Sequence, residues 1–566
     1  MFINFVFIRF LQMKKHIKFL LIVIGTFIFV NVMSNYVYKR LDLTEEKRYS
    51  LTDASVHLLQ NVTEPIVIKV YLTGDDLPGG FKRLEKAIRE SLEDFRNISN
   101  RKIDYEFIDV NQIVDSEAKQ KQIDELLEMG MQPTNIYDNR GGSKIETLVF
   151  PYATVWQNGE ERIVLLLKGN QGASAQEKLN QSYENIEYAF TSAIRQLEQK
   201  EKKKIGLLTE FTTLEPVQFA GFITSLQKYY DLFILDAQAS ITFEGLDALI
   251  VPKPQRPIDD STKWKIDHFV ASGGKALFFI DGARVDSLNL SGNFAQPFES
   301  NLEDLFFHWG VRMNNDLIKD AGNALAIPMV VGNMGNKPNI QPVPFRFFPL
   351  INTFGQSPIT RNINMVFTRF SSSLSPVESG TKYQLTPLLQ TTNYTKIIQT
   401  PAMLSYNESR EETDFATYNQ GTKTISYLIE GDFSSLYRSR LIPTDKRNSL
   451  YKVEKATSKV LIAADGDMIV NEIDETTGNP LPLGLDRLIG KPWGNLDFIL
   501  NTIDYMLEEN GVITARNKEI KIRPLDAQKV VKERVYWQCI VFLIPLLVLS
   551  IFGVVRYNWM KRVNTK

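Results

Sequence analysis

Three short acidic motifs each follow an apolar run, and they are where this chain could do chemistry. Thr209-Glu210-Phe211 follows Lys204–Leu208, Asp281-Gly282 follows Lys275–Ile280, and Asp465-Gly466-Asp467 follows Lys459–Ala464. If folding brought Glu210 and Asp281 together, they would form an acid–base pair. Asp465 and Asp467 offer hard oxygen ligands of the kind a divalent cation takes. Simpler readings stand beside these. A helix cap or turn explains Glu210 and Asp281, and an Asp-Gly turn explains Asp465 to Asp467. The run Leu246–Val251 ends instead in Pro252-Lys253-Pro254. No cysteine or histidine lies at any of these ends.

Other chemistries are excluded by what the motifs lack. A phosphate-cradling loop needs an early glycine and a hydroxyl after Gly-Lys. Gly274-Lys275 and Gly490-Lys491 have neither, so this chain is not an ATPase. There is no G-x-G-x-x-G after Lys204–Leu208, no H-E-x-x-H and no G-x-S-x-G. The single cysteine, Cys539, rules out disulfides and dithiol chemistry within the chain. Four histidines, His16, His57, His268 and His308, are scattered; His268 and His308 read as ordinary helix residues beside apolar neighbours. The net charge of −1 gives no pull towards nucleic acid. The expectation is a non-enzyme, with no catalytic, cofactor-binding or metal residues assigned.

The elements that would position those motifs form an α/β fold. A chain of 566 residues exceeds one compact core. After a linker at Tyr36–Ser50, a strand at Ile66–Leu72, a helix carrying Phe81, Leu84, Ile88, Leu92 and Phe95, and a strand at Ile103–Phe107 open a small domain. A helix around Ser116–Met129, strands at Leu148–Trp156 and Arg162–Leu167, and a helix at Gln176–Glu201 complete it. In the middle, apolar strands alternate with helices at Val217–Tyr230 and Asp259–Ser272. That pattern predicts a parallel sheet covered on both faces. A Pro/Gly-rich β insertion spans 322–424, with a strand at Asn364–Phe370. Strands at Ile425–Gly431 and Ser458–Ala464 and a helix at Asn495–Glu509 return to the α/β domain. The expected divisions are 1–35, 36–200, 201–321, 322–424, 425–534 and 535–566.

Both ends read as membrane anchors. Phe19–Met33 follows Lys14, Lys15 and Lys18, and it lacks the small residues of a cleavage site, so an uncleaved anchor is preferred to a signal peptide. Met13-Lys14-Lys15 looks like a natural start, with residues 1–12 an upstream extension. Val535–Val555 is flanked by Tyr536, Trp537, Tyr557 and Trp559 and followed by Arg556, Lys561, Arg562 and Lys566. Basic residues outside both spans place the termini in the cytoplasm and the bulk of the chain at the periplasmic face of an inner membrane.

Short motifs are spread along nearly the whole chain. They include Arg48-Tyr-Ser-Leu-Thr52, Gly74-Asp-Asp-Leu-Pro-Gly-Gly-Phe81, Asn180-Gln-Ser-Tyr-Glu-Asn-Ile-Glu-Tyr188 and Leu246-Asp-Ala-Leu-Ile-Val-Pro252. Gly273-Gly-Lys-Ala-Leu-Phe-Phe-Ile-Asp281, Asp465-Gly-Asp-Met-Ile-Val-Asn471 and Gly494-Asn-Leu-Asp-Phe498 continue them, and together they resemble the gliding-motility ABC-transporter auxiliary proteins. The resemblance implies an amidotransferase-like central domain, a polytopic ABC permease and an ATP-binding subunit as partners, other gliding-machinery proteins, and a role in surface motility. It implies no catalytic residues and no cofactor. Broader relatives carry a Gly-His-Gly-Glu-like turn where this chain has Leu208-Thr-Glu-Phe-Thr-Thr213, which weakens any shared chemistry there. Two other readings remain open: an envelope hydrolase at the strand ends, and a mechanical scaffold of the motility machinery.

Overall fold

The computed structural model describes residues 22, 24–29, 50–140, 143–169, 172–199, 201–239, 242–285, 292–335, 337–378, 383–410, 412–438, 440–443, 455–508, 511–517 and 527–564. The expected anchor at Phe19–Met33 and linker at Tyr36–Ser50 fall largely outside them; 24–29 is helical and exposed.

The N-terminal lobe begins with α1 (Asp53–Gln60), whose N-cap Thr52 accepts from Ser55 N. A four-stranded sheet follows, in the order β2 (Ile103–Phe107), β1 (Ile66–Val70), β5 (Tyr152–Gln157), β6 (Glu160–Leu165). β1 runs parallel to β2 and antiparallel to β5. Helix α2 (Gly79–Ile98) buries Leu84, Ile88, Leu92 and Phe95, a stripe at helical spacing. α3 (Ser116–Glu128) leads to a separate hairpin of β3 (Thr134–Arg140) and β4 (Ser143–Val149). One strand was expected over Leu148–Trp156, but Pro151 divides it into β4 and β5; a proline has no N–H to give a ladder. α4 (Ala175–Glu198) starts in a capping box between Ser174 and Glu177 and buries Ile186, Phe190, Ala193 and Ile194 in the lobe's core.

The central lobe is built on a ten-stranded sheet. Its parallel half comprises β7 (Lys204–Leu207), β8 (Asp231–Ile234), β9 (Ala248–Pro252), β10 (Lys275–Phe279) and the strand Lys455–Ala463. They lie in the order β8-β7-β9-β10 followed by Lys455–Ala463. The sequence pattern predicts a parallel sheet, but the sheet is mixed. Thr424–Ser434 pairs antiparallel with Lys455–Ala463, and Gln384–Gln390 and Leu374–Pro376, from within 322–424, extend it. A strand buried on both faces is apolar whichever way it runs, so composition could not reveal this reversal.

Alternate residues feed two cores, because successive side chains point to opposite faces. Leu277 and Phe279 face α5 (Val217–Gln227) and, much later in the chain, α8 (Asn495–Leu507). Ala276 and Phe278 face α6 (Asp260–Ala271) and α7 (Glu303–His308), where Trp309 is fully buried against Phe278, Phe306 and Phe433. Asp259 caps α6 through Thr262 N, as its sequence foretold. Between the lobe's two halves, Ala324–Met334 and Lys337–Ile351 form a long irregular hairpin. The strand expected at Asn364–Phe370 is reduced to Val366–Phe367.

The soluble part closes on itself. After α8, the short 3-10 helix Val512–Asn517 buries Val512, Ile513 and Ala515 beside Tyr188 of α4, with Ala54 and Leu58 of α1 packed against them. Finally α9 (Ala527–Asn564) contains Lys532–Trp559, 28 residues whose most apolar 18-residue stretch has a mean hydropathy of 2.6 and is not buried. Among the described residues it is the one helix long and apolar enough to cross a membrane.

Candidate functional site

Three of the sequence's acidic candidates meet where β9, β10 and Lys455–Ala463 end. These strands are adjacent and parallel, so the residues just beyond each one fall on the same edge, the edge where open α/β sheets carry their sites. One carboxylate oxygen each from Asp281, Asp465 and Asp467 lies within 4.8 Å of the others. Glu210 is not with them. Its Oε2 accepts from Ala237 N at 3.2 Å, and its carbonyl accepts from the Arg256 guanidinium at 2.5 Å. The strand order explains the separation. β9 lies between β7, which Glu210 follows, and β10, which Asp281 follows, a spacing of about 10 Å across two strand intervals. The acid–base pairing of Glu210 with Asp281 therefore does not form.

A residue that the sequence did not single out completes the cluster. Lys253 follows β9 with φ +42°, in the left-handed region that non-glycine residues seldom occupy. Its N–H donates to Phe279 O at 2.8 Å. Its ammonium lies 2.6 Å from Asp467 Oδ1 and 3.3 Å from Asp281 Oδ2. Gly466 makes room for it, since a Cβ there would sit 2.5 Å from Lys253 Cγ. The signal was Pro252-Lys253-Pro254 at the end of an apolar strand, which a search for cysteine or histidine passes over.

Local hydrogen bonds fix the carboxylates. Gly466 N donates to Asp281 Oδ1 at 2.6 Å. Asp465 Oδ2 accepts from Arg369 N at 2.6 Å and from Ser371 Oγ at 3.0 Å, while its Oδ1 accepts from Asp467 N at 2.8 Å. Asp465 is thus also the N-cap of the turn Gly466–Ile469, the plain role its Asp-Gly sequence suggested. No sequence pattern pointed to Arg369 or Ser371.

The electrostatics are those of one buried cation among three acids. Burial pushes the Asp281 carboxyl above the usual range, with Lys253 opposing. Burial, then the charges of Asp467 and Asp281, push Asp465 well above it. For Lys253, burial works against the charge, but Asp281 and Asp467 outweigh it and hold the ammonium above lysine's ordinary value. The cluster therefore keeps Lys253 charged, the opposite of what a nucleophilic amine requires. Its three acids could ligate a metal, but Lys253 already supplies a cation between two of them.

His268 and His308 lie apart from this cluster. His268 stacks on Trp264 at 5.3 Å, and burial lowers its pKa. His308 Nε2 lies 2.9 Å from Ser434 O.

Residues 202–502 match the family described as an ABC-type uncharacterized transport system. The chain belongs to that family. Membership makes it an auxiliary component associated with an ABC-type transport system, and the exposed apolar α9 fits association with a membrane. The matched span takes in the whole parallel half of the sheet and all four residues of the cluster. Residues 45–156 match a domain family of unknown function, which corresponds to most of the N-terminal lobe. An uncharacterized protein of Borreliella burgdorferi is 21% identical over 551 residues, covering 95% of this chain and 96% of its own length. Among solved structures, the mmIFT52 N-terminal domain aligns with a TM-score of 0.30 at 11% identity, over 54% of this chain and 97% of its own. A likeness that slight bears on neither fold nor function.

Proposed function

We propose that this transport-family chain is a non-catalytic periplasmic accessory, anchored at both ends in the inner membrane beside an ABC permease and its ATP-binding subunit. The gliding-motility type, GldG in particular, which the motifs resemble, is the specific assignment we favour. The observation that carries the membrane reading is α9, whose apolar stretch within Lys532–Trp559 is not buried among the described residues. Tyr536 and Trp537 at one end and Tyr557 and Trp559 at the other suit two interfaces. Arg556, Lys561 and Arg562 favour a cytoplasmic C-terminus. The packing of α1 against Val512–Asn517 brings the two ends of the region between the anchors together, which suits two anchors in one bilayer.

The non-catalytic reading is supported by the filled cluster. With Lys253 between Asp281 and Asp467, the three strand ends are tied by an internal ion pair. The hydrolase reading draws on the same convergence of Asp281 and Asp465. It predicts that Asp281→Asn abolishes a glycan- or peptide-cleaving activity of the purified chain. The accessory reading predicts no such activity to abolish.

Affinity purification from gently solubilised membranes, followed by mass spectrometry, tests the proposal. Stoichiometric recovery of a multi-span permease and an ABC ATPase is expected. Recovery of this chain alone, under conditions that preserve other membrane complexes, would refute it.

A further inference from the structure

Where the soluble part ends, a buried polar network joins both lobes to the last segment before α9. Asp504 of α8 accepts from three side chains: Arg195 at 2.8 Å, Tyr230 at 2.8 Å and Tyr188 at 3.4 Å. Arg195 and Tyr188 belong to α4 of the N-terminal lobe, whereas Tyr230 immediately precedes β8 of the central lobe. Glu508 then caps Val512–Asn517, its two oxygens accepting from Val512 N at 2.7 Å and Ile513 N at 2.8 Å. Arg195 lies 4.0 Å from the same carboxylate.

Arg516 closes this arrangement. It is 1% exposed. Its guanidinium donates to Asn501 Oδ1 at 2.8 Å and to the carbonyl of Arg361, and lies 4.9 Å from the Tyr188 ring centroid. Its Nε is buried and has no hydrogen-bond partner. Neutral acceptors and a ring face return only part of the desolvation cost of burying a guanidinium. The contact is therefore held less firmly than a buried ion pair of good geometry. One residue before Tyr188, Glu187 accepts from Thr52 N at 2.7 Å and Thr52 Oγ1 at 2.8 Å, fixing the start of α1. Successive residues of α4 thus hold the segment that enters the soluble part and the one that leaves it.

We propose that Val512–Asn517 is a latch, seated by Arg516, through which the membrane helix α9 sets the fit between the two lobes and α1. Nine residues, 518–526, separate the latch from α9. Withdrawing Arg516 removes a side chain from between α4, α8 and the Arg361 turn. It also removes the packing that Val512 and Ile513 give to α1. The cleft beside the latch, about 270 Å³ and lined by Leu58, Arg195, Tyr230, Asp504 and Glu508, would open with it.

The test is hydrogen exchange on the full chain in lipid nanodiscs, comparing wild type with Arg516→Met and Arg516→Lys. In Arg516→Met, the amides of α1 and of the second half of α4 should exchange about tenfold faster, while β1 and β9 stay as in wild type. Faster exchange confined to 512–517 would overturn the latch. If Arg516→Met exchanges faster everywhere, Arg516→Lys decides: the same local pattern at smaller amplitude supports the latch, and an unchanged α1 refutes it. The coupling to α9 rests on that helix spanning the bilayer. Changing bilayer thickness should shift α1 exchange in wild type and leave Arg516→Met unresponsive. Thickness-independent exchange in wild type, in a chain whose Cys539 is shielded by lipid, would refute the coupling without touching the membrane reading.

Discussion

Replacing Lys253 by methionine removes the one cation from a group of three acids while keeping most of the side-chain volume. At 3.3 Å from Asp281, the ammonium's attraction is about 5 kcal/mol for an effective dielectric near 20. Removing one partner of a buried pair typically costs about 3–5 kcal/mol, because the other charge is left uncompensated. For a lobe of this size that corresponds to a melting point lower by roughly 10 °C. The sign of the pH dependence follows from Asp281 and Asp465. Both have folded pKa values raised above their ordinary ones. The stability they contribute is complete below the ordinary carboxylate pKa and is lost as pH rises through the raised values. Without Lys253 those values rise further, so the deficit should be largest at alkaline pH and shrink on acidification. Buried Trp309 and Trp264 report the central lobe's unfolding by fluorescence. A Lys253→Met chain that melts with wild type at mildly alkaline pH, or whose deficit grows on acidification, would refute the ion-pair account.

Other expectations follow from single contacts. Gly466→Ala places a Cβ 2.5 Å from Lys253 Cγ and should destabilise by about 1–3 kcal/mol, as overpacking does; the same substitution should cost less when added to a Lys253→Ala chain than to wild type in thermal melts. Burial raises the Asp267 carboxyl to about 6 against bonds from Ser435 and Leu436, so its stabilising share is lost as pH rises through that value. Asp267→Asn should flatten the stability profile between acid and neutral pH, and an unchanged profile would refute this. Trp309→Ala empties the contact between Phe278, Phe306 and Phe433 and should cost about 3–5 kcal/mol by denaturant titration. Cys539, the chain's one thiol, lies inside the apolar stretch of α9. In intact membranes it should resist a charged maleimide and react once detergent is added; labelling without detergent would refute a spanning α9.

Much of the local structure was legible, because periodicity and caps are local signals. The α2 stripe, the Asp259 cap and the apolar runs of β9 and β10 all appear close to where their residues place them. Asp281 and Asp465 were legible as candidates for the same reason: each follows a buried strand. Their meeting was not legible, because it depends on Lys455–Ala463 lying next to β10, a pairing between distant parts of the chain. The failed Glu210–Asp281 pairing has the same origin, since chain order does not reveal that β9 intervenes. Lys253 was overlooked for a chemical reason. Its role is to neutralise acids, and a lysine between two prolines carries no motif for that. Arg516 looks like a surface residue in sequence, and only the arrangement of α4 against α8 makes it a buried one.

The order of the central strands also constrains synthesis. Ala276 of β10 pairs with Val460, a residue made about 180 residues later. Until then β7 to β10 can assemble with α5 and α6, but the far edge of β10 has no neighbour. That edge is apolar on both faces, so it is a template for wrong pairing in the nascent chain. The intervening residues must therefore emerge, and largely fold, beside an unfinished sheet. Chains that terminate between β10 and Lys455 should collect as aggregates, whereas those that extend past Ala463 should not.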